Sequence, residues 1–203
     1  MSSASSEIKR SKIYTKTGDK GYSSLYNGDR KVKSDAFFQS LGSIDELSAS
    51  MGIALEHCIT DKNGLEEYLD KLIQLMLDLG ACIATPEATS KIEQVKKTRF
   101  SEDHVKNLEN WIDLLDSKLP PLKSFIIPSK VGLSSSHLHL SRAICRRAER
   151  EIVNLGNTVE LPVSVTQFIN RLSDFLFVAA RYAAMKAGKG EEKWQSGTTN
   201  LNI

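Results

Sequence analysis

Five prolines, at positions 86, 120, 121, 128 and 162, divide this chain, and long segments of helical periodicity run between them. Proline removes an amide donor and clashes with the preceding turn, so helices end at such positions instead of passing through them. The spacing predicts a first helix from Asp35 to Cys58, where Leu41, Ile44, Leu47, Met51 and Leu55 recur every three or four residues. A second, from Gly64 to Ala84, carries Leu65, Leu69, Leu72, Leu75, Met76 and Leu79. A third starts at Ser101, a side chain suited to an N-cap, and carries Val105, Leu108, Trp111, Ile112 and Leu115. A fourth covers Ser134 to Leu155 and a fifth Val163 to Lys186. Extended structure is expected only as short pieces near Tyr14 and Leu25. The expected fold is all-α, a five-helix up-and-down bundle with an irregular first thirty residues and no internal repeat.

Composition sets the class. A chain of 203 residues makes one domain, and its 40% hydrophobic content is enough to fill a core. Lys and Arg number 27 against 25 Asp and Glu, a near-balance that argues against a nucleic-acid partner. The most apolar run, Phe175 to Ala180, stops at Arg181 and is too short to span a bilayer, so no membrane partner is expected. Cys58, Cys82 and Cys145 are widely separated and form no CxxC, which suits buried thiols in a reducing compartment. The opening MSSASSEIKR lacks the apolar stretch of a secretory signal and is a poor mitochondrial presequence.

Two stretches without helical periodicity stand out. Pro86 to Phe100, with Lys91, Lys96, Lys97 and Arg99, reads as a solvated connection. Thr15 to Ser24 packs glycines, hydroxyls and lysines into ten positions. Glycines let amide groups turn towards an anion, so this loop is either an ordinary turn or a phosphate cradle. It lacks the GxxxxGK[ST] pattern of a Walker loop.

On the fourth helix, Arg142, Arg146, Glu149 and Arg150 fall on one face while Arg147 points elsewhere. Such a stripe is either a solvated basic face or a polyphosphate clamp built from planar guanidiniums. Asn170, Asp174, Phe177 and Arg181 share a face of the fifth helix. That face either meets water or meets the arginine stripe, with Asp174 orienting a guanidinium. Asp45 and Glu46 add acids to the first helix, as surface charges or as arginine partners. Paired Glu-x-x-His motifs, a GxSxG elbow and kinase signatures are all absent. His137 and His139 sit two apart on a helix, a spacing that does not put both on one face for zinc.

KIYTKTGDKGYSSL, SIDELSAS, FIIP followed by LHLSRAICRRAER, and FINRLSDFLFVAARYAAMKAG occur here in order. In these blocks the chain resembles the PduO-type ATP:cob(I)alamin adenosyltransferases from about Lys12 to Gly188, and YSSLYNGDR and RYAAMKAG look most like their eukaryotic, mitochondrial branch. Two departures are local. Pro128-Ser129-Lys130-Val131-Gly132 replaces a loop that carries a glycine pair in many relatives, and Ser23 stands where bacterial members usually have Thr.

The resemblance implies a helical-bundle homotrimer with ATP sites between subunits. It also implies transfer of the 5′-deoxyadenosyl group of ATP to cob(I)alamin, yielding adenosylcobalamin and triphosphate. By that likeness the bundle domain spans 12–190 between tails 1–11 and 191–203. The irregular N-terminal segment holds the nucleotide through Thr15, Lys16, Thr17, Gly18, Asp19, Lys20, Gly21, Ser23, Ser24 and Lys33. Arg146, Arg147, Glu149, Arg150 and Asn170 complete the ATP pocket from the neighbouring subunit, and Asp174 supports it. Arg142 pairs with Asp45 across the interface, and Phe125 closes the corrinoid pocket and helps displace the lower cobalt ligand. With Arg146, those three form the expected catalytic group. Mg2+ is expected with ATP, without a metal motif of its own. The expected location is the mitochondrial matrix, with the cytoplasm as the alternative, and methylmalonyl-CoA mutase is the expected recipient of the product.

Overall fold

The computed structural model describes residues 12–194. Two short strands, β1 (Tyr22–Ser24) and β2 (Arg30–Val32), form an antiparallel hairpin with Ser23 opposite Lys31. Helices α1 (Ala36–Asp61), α2 (Glu66–Ile83), α3 (Ile92–Lys97) and α4 (Asp103–Asp116) follow. Then come β3 (Ile126–Ile127), α5 (Leu133–Gly156), α6 (Val163–Lys186) and β4 (Glu192–Lys193). Helix α1 packs on α2 and α5, and α6 packs on α5 and α4. Tyr68 of α2 meets Trp111 of α4 edge-on at 5.2 Å, and both rings reach Phe175 of α6, which closes the ring of helices. The all-α bundle read from the sequence is the fold observed.

Local chemistry explains the boundaries. Asp35 caps α1 by accepting the Phe37 amide at 3.0 Å. The helix ends where Lys62 adopts a left-handed φ of 49°. The buried Asn63 side chain then accepts the Leu65 amide at 3.1 Å, which turns the chain into α2. Phe168, Phe175, Leu47, Met51 and Leu72 are fully enclosed in the core. Along α6, Ala179, Ala180, Ala183 and Ala184 are also buried, so its neighbours approach close to its backbone.

Four expectations are corrected. The connection from Pro86 to Phe100 contains a sixth helix, α3, whose first turn is closed by Gln94 accepting the Lys91 amide at 3.1 Å. Its six residues bury nothing, so no apolar stripe marks it. Ser101 does not cap α4: Glu102 holds that position, and Ser101 accepts the Asp103 amide at 3.2 Å in a turn one residue earlier. Of the extended pieces, the one expected near Leu25 is present as β1, which ends at Ser24, with Leu25 itself buried in the β1–β2 turn, whereas Tyr14 belongs to no strand. Residues expected to form a C-terminal tail include β4, which pairs with β3. Expectations about 1–11 lie outside the described residues.

Candidate active site

The N-terminal loop is anchored from beneath. Leu25 is buried, and Tyr26 donates its amide to Ala84 O at 3.0 Å, which ties the hairpin to the end of α2. Asn27 accepts the Asp29 amide and donates to the Asp29 carboxylate at 2.8 Å, and side-chain hydrogen bonds from Thr89 and Asn27 lower the Asp29 pKa. Above this base the loop folds on itself: Gly21 N donates to Gly18 O at 3.1 Å, and Lys33 N donates to Gly21 O at 2.8 Å. Gly21 has φ +78°, where a side chain would be strained. The Lys33 ammonium lies 3.2 Å from where a Gly18 side chain would begin, so a cation sits directly over exposed backbone. The Thr15 and Thr17 hydroxyls lie 2.9 Å apart. Ser23 is half-buried and Ser24 exposed on β1. Arg30, not singled out in the sequence, donates to Thr17 O at 3.1 Å and adds a guanidinium to Lys16, Lys20 and Lys33.

The second cluster lies on α5 and α6. Asn170 donates to Glu149 at 2.7 Å and fastens the two helices together. Arg150 donates to Arg146 O at 3.1 Å, so two exposed guanidiniums stand one turn apart. Among the described residues neither has a carboxylate partner. Arg147, off this stripe, pairs with Glu46 of α1, so Glu46 is an arginine partner and not a bare surface charge. Ser40 donates to Glu151 O at 3.0 Å, which sets the start of α1 beside the arginine-bearing part of α5. The loop and the stripe therefore occupy the same end of the bundle.

Asp174 requires a correction. It pairs at 3.4 Å with Arg171 on its own helix, and Arg171 also binds Glu109 of α4 at 2.8 Å. The i,i+3 spacing brings Arg171 within reach of Asp174 before any arginine of α5. Arg181 lies on the face read from the sequence but is buried there instead of meeting water. Arg142 lies over the Phe177 ring at 5.8 Å, with its Nε buried and unpartnered, while Asp45 is exposed. His139 packs edge-on to Phe177, and burial plus the Arg142 charge push its pKa down to about 4. His137 turns the other way and stacks on His57. All three cysteines are buried, and burial raises the Cys58 thiol to about 11.

Phe125 stands apart from both clusters, 82% exposed. With Ile126, Ile127 and Trp194 it lines a shallow apolar cavity of about 350 Å3. The molecule thus offers an anion-ready cradle, two unanswered guanidiniums and an exposed aromatic ring beside an apolar hollow. Among the described residues this set shows no nucleophile hydrogen-bonded to an activating base. It can bind and orient a polyanion and receive a large apolar face.

Comparison with known proteins agrees with this chemistry. Residues 13–183 match the family described as cobalamin adenosyltransferase. The mouse corrinoid adenosyltransferase MMAB is 48% identical over 190 residues, covering 93% of this chain and 79% of that protein. A Bacillus subtilis corrinoid adenosyltransferase is 35% identical, with 91% of this chain and 92% of that one aligned. In three dimensions the chain is similar to a variant PduO-type ATP:corrinoid adenosyltransferase from Lactobacillus reuteri, complexed with cobalamin and ATP. That likeness has a TM-score of 0.84 at 33% identity, over 91% of this chain and 100% of the other. The match runs from the N-terminal loop through the arginine stripe into α6, and this chain belongs to the cobalamin adenosyltransferase family, in the eukaryotic branch of its PduO type.

Proposed function

We propose that this protein transfers the 5′-deoxyadenosyl group of ATP to the cobalt of cob(I)alamin, forming adenosylcobalamin and triphosphate. The observation that carries the proposal is the pair Arg146 and Arg150, exposed on one stripe and without a carboxylate partner among the described residues. The cobalt(I) electron pair forms the new bond to C5′, the bond from C5′ to the triphosphate oxygen breaks, and triphosphate leaves with the electrons of that broken bond. Cob(I)alamin is itself the nucleophile, so the protein's tasks are alignment and stabilisation of the departing charge. Alignment alone supplies about 7–11 kcal/mol in favourable cases. Guanidiniums placed on the leaving group supply the electrostatic part.

In this reading Thr15, Lys16, Thr17, Gly18, Asp19, Lys20, Gly21, Ser23, Ser24 and Lys33 hold ATP from one subunit. Arg146, Arg147, Glu149, Arg150 and Asn170 reach it from the neighbour. The homotrimer is carried over from the family likeness, and among the described residues no hydrogen bond or ion pair joins the loop to Arg146 or Arg150 within one chain, which suits a site completed by a neighbouring copy. Arg142, with a buried unpartnered Nε, and the exposed Asp45 suit a pairing across that interface. Among the described residues no group of three acids, histidines or cysteines is arranged to hold a cation. Mg2+ accordingly arrives on the triphosphate, whose oxygens and waters are its ordinary ligands. Phe125 closes over the corrinoid and displaces its lower ligand, which eases reduction of cob(II)alamin. The mitochondrial matrix and delivery to a B12-dependent mutase follow from the likeness to the eukaryotic branch.

The test is an anaerobic assay with reduced cobalamin, ATP and Mg2+, followed by the cobalamin spectrum and by triphosphate release. Equal yields of adenosylcobalamin and triphosphate are expected. Binding of either substrate without product would make the chain a carrier or sensor.

A further inference from the structure

Among the described residues Arg181 is a buried and fully partnered cation, 4% exposed near the end of α6. Its Nε donates to Glu191 at 2.5 Å, its Nη2 to Pro120 O at 2.6 Å and its Nη1 to Asp116 at 3.3 Å. The guanidinium face lies 6.0 Å from the centre of the Phe177 ring. These acceptors come from three places: the last residue of α4, the segment leading to β3, and the residue just before β4. Arg181 therefore grips both chain segments that enter the small β3–β4 ladder.

That ladder is what presents Phe125. Ile126 pairs with Lys193 and Ile127 with Glu192, and Trp194 N donates to Phe125 O at 2.9 Å. A ladder this short does not hold itself together in water. Its stability has to come from its surroundings, and the planar fork of Arg181 reaches Glu191, just before β4, and Pro120, five residues before Phe125, at once. A lysine at this position could reach only part of that set.

We propose that Arg181 is a positioning residue for the corrinoid: through Glu191 and Pro120 it locks the Phe125 and Trp194 segments into one surface. It touches neither ATP nor the reacting atoms. The proposal rests on the reading of Phe125 as the residue that closes the corrinoid pocket.

The test compares the full-length wild type with Arg181→Met, Glu191→Ala and Glu191→Gln. Glu191 is partly exposed, so its variants keep the fold even where Arg181→Met does not. Hydrogen exchange reads the ladder directly and needs no turnover. In Glu191→Ala, amides of 125–127 and 192–194 are expected to exchange roughly tenfold faster, with α5 and α6 unchanged. The KM for cob(I)alamin is expected to rise about tenfold while that for ATP stays within about twofold. Glu191→Gln, which keeps an acceptor oxygen, is expected to recover most of both losses.

Unchanged exchange in Glu191→Ala would overturn the clamp. A loosened ladder with the two KM values moving together, or with neither moving, would reduce Arg181 to a structural residue and overturn the positioning role. If the wild type itself binds no cobalamin, the proposed function fails instead, and the exchange result still decides whether Arg181 holds the ladder.

Discussion

Two arginine sites in this protein make opposite use of the same side chain. At the end of α6, Arg181 is buried and each nitrogen of its guanidinium is answered, by two carboxylates and a carbonyl, with an aromatic ring nearby. On α5, Arg146 and Arg150 are exposed and lack any carboxylate among the described residues. A buried cation must be neutralised where it stands, because desolvation makes an unpaired charge prohibitive. An exposed cation needs no such partner, and leaving it unanswered keeps its donors available to an incoming anion. Arg142 stands between the two cases, with one nitrogen buried and unpartnered and its face against the Phe177 ring shared with Arg181.

The sharpest way to break this contrast is Arg146→Ala. Turnover is expected to fall about 10²–10³-fold, with stability changed by less than about 0.5 kcal/mol. Initial rates and a urea denaturation curve check both, and near-normal turnover would end the distinction. Acid gives the next effect. The folded-state pKa of His139 is depressed to about 4 from an ordinary 6.5, so the unfolded chain takes up a proton first. Stability at neutral pH is then full, declines as pH falls from about 6.5 to 4, and levels off below, a loss on the order of 2–3 kcal/mol. Urea midpoints at pH 7 and pH 5 measure the slope, which His139→Gln is expected to flatten.

Arg181→Met comes third. It strands Glu191 and the Pro120 carbonyl, and the partial exposure of both acids limits the cost to about 2 kcal/mol. Thermal unfolding reads it, and a loss no larger than that of Arg146→Ala would show that burial does not separate the two sites. The smallest effect belongs to Arg147→Ala. Its pair with Glu46 is 44% and 52% exposed, so less than about 1 kcal/mol is expected from a double-mutant cycle with Glu46→Ala.

The five long helices were legible because each buries one face, and burial writes a three-to-four residue period into the sequence. Helix α3 left no such trace because it buries no side chain at all. The β3–β4 ladder was equally silent, since two residue pairs cannot carry an alternation. Arg181 shares its helical face with Asn170 and Asp174, which are exposed, and that periodicity is correct. What the period could not tell was that 116, 120 and 191, distant in sequence, fold over one end of that face. Arginine content and spacing on α5 were readable as chemistry, whereas the choice of Arg171 over an α5 arginine for Asp174 depends on α4 supplying Glu109.

The buried alanines of α6 also decide where this protein can change. Ala179, Ala180, Ala183 and Ala184 let α4 and α5 lie close against a single slender helix. Even one added methylene there forces the neighbours apart, at about 1–3 kcal/mol. The displaced neighbours are the carriers of Asp116 and of the arginine stripe, so one enlargement would disturb both guanidinium sites together. Residues in α3 answer to no such constraint. The girth of α6 thus acts as the common gauge to which both ends of the chemistry are cut.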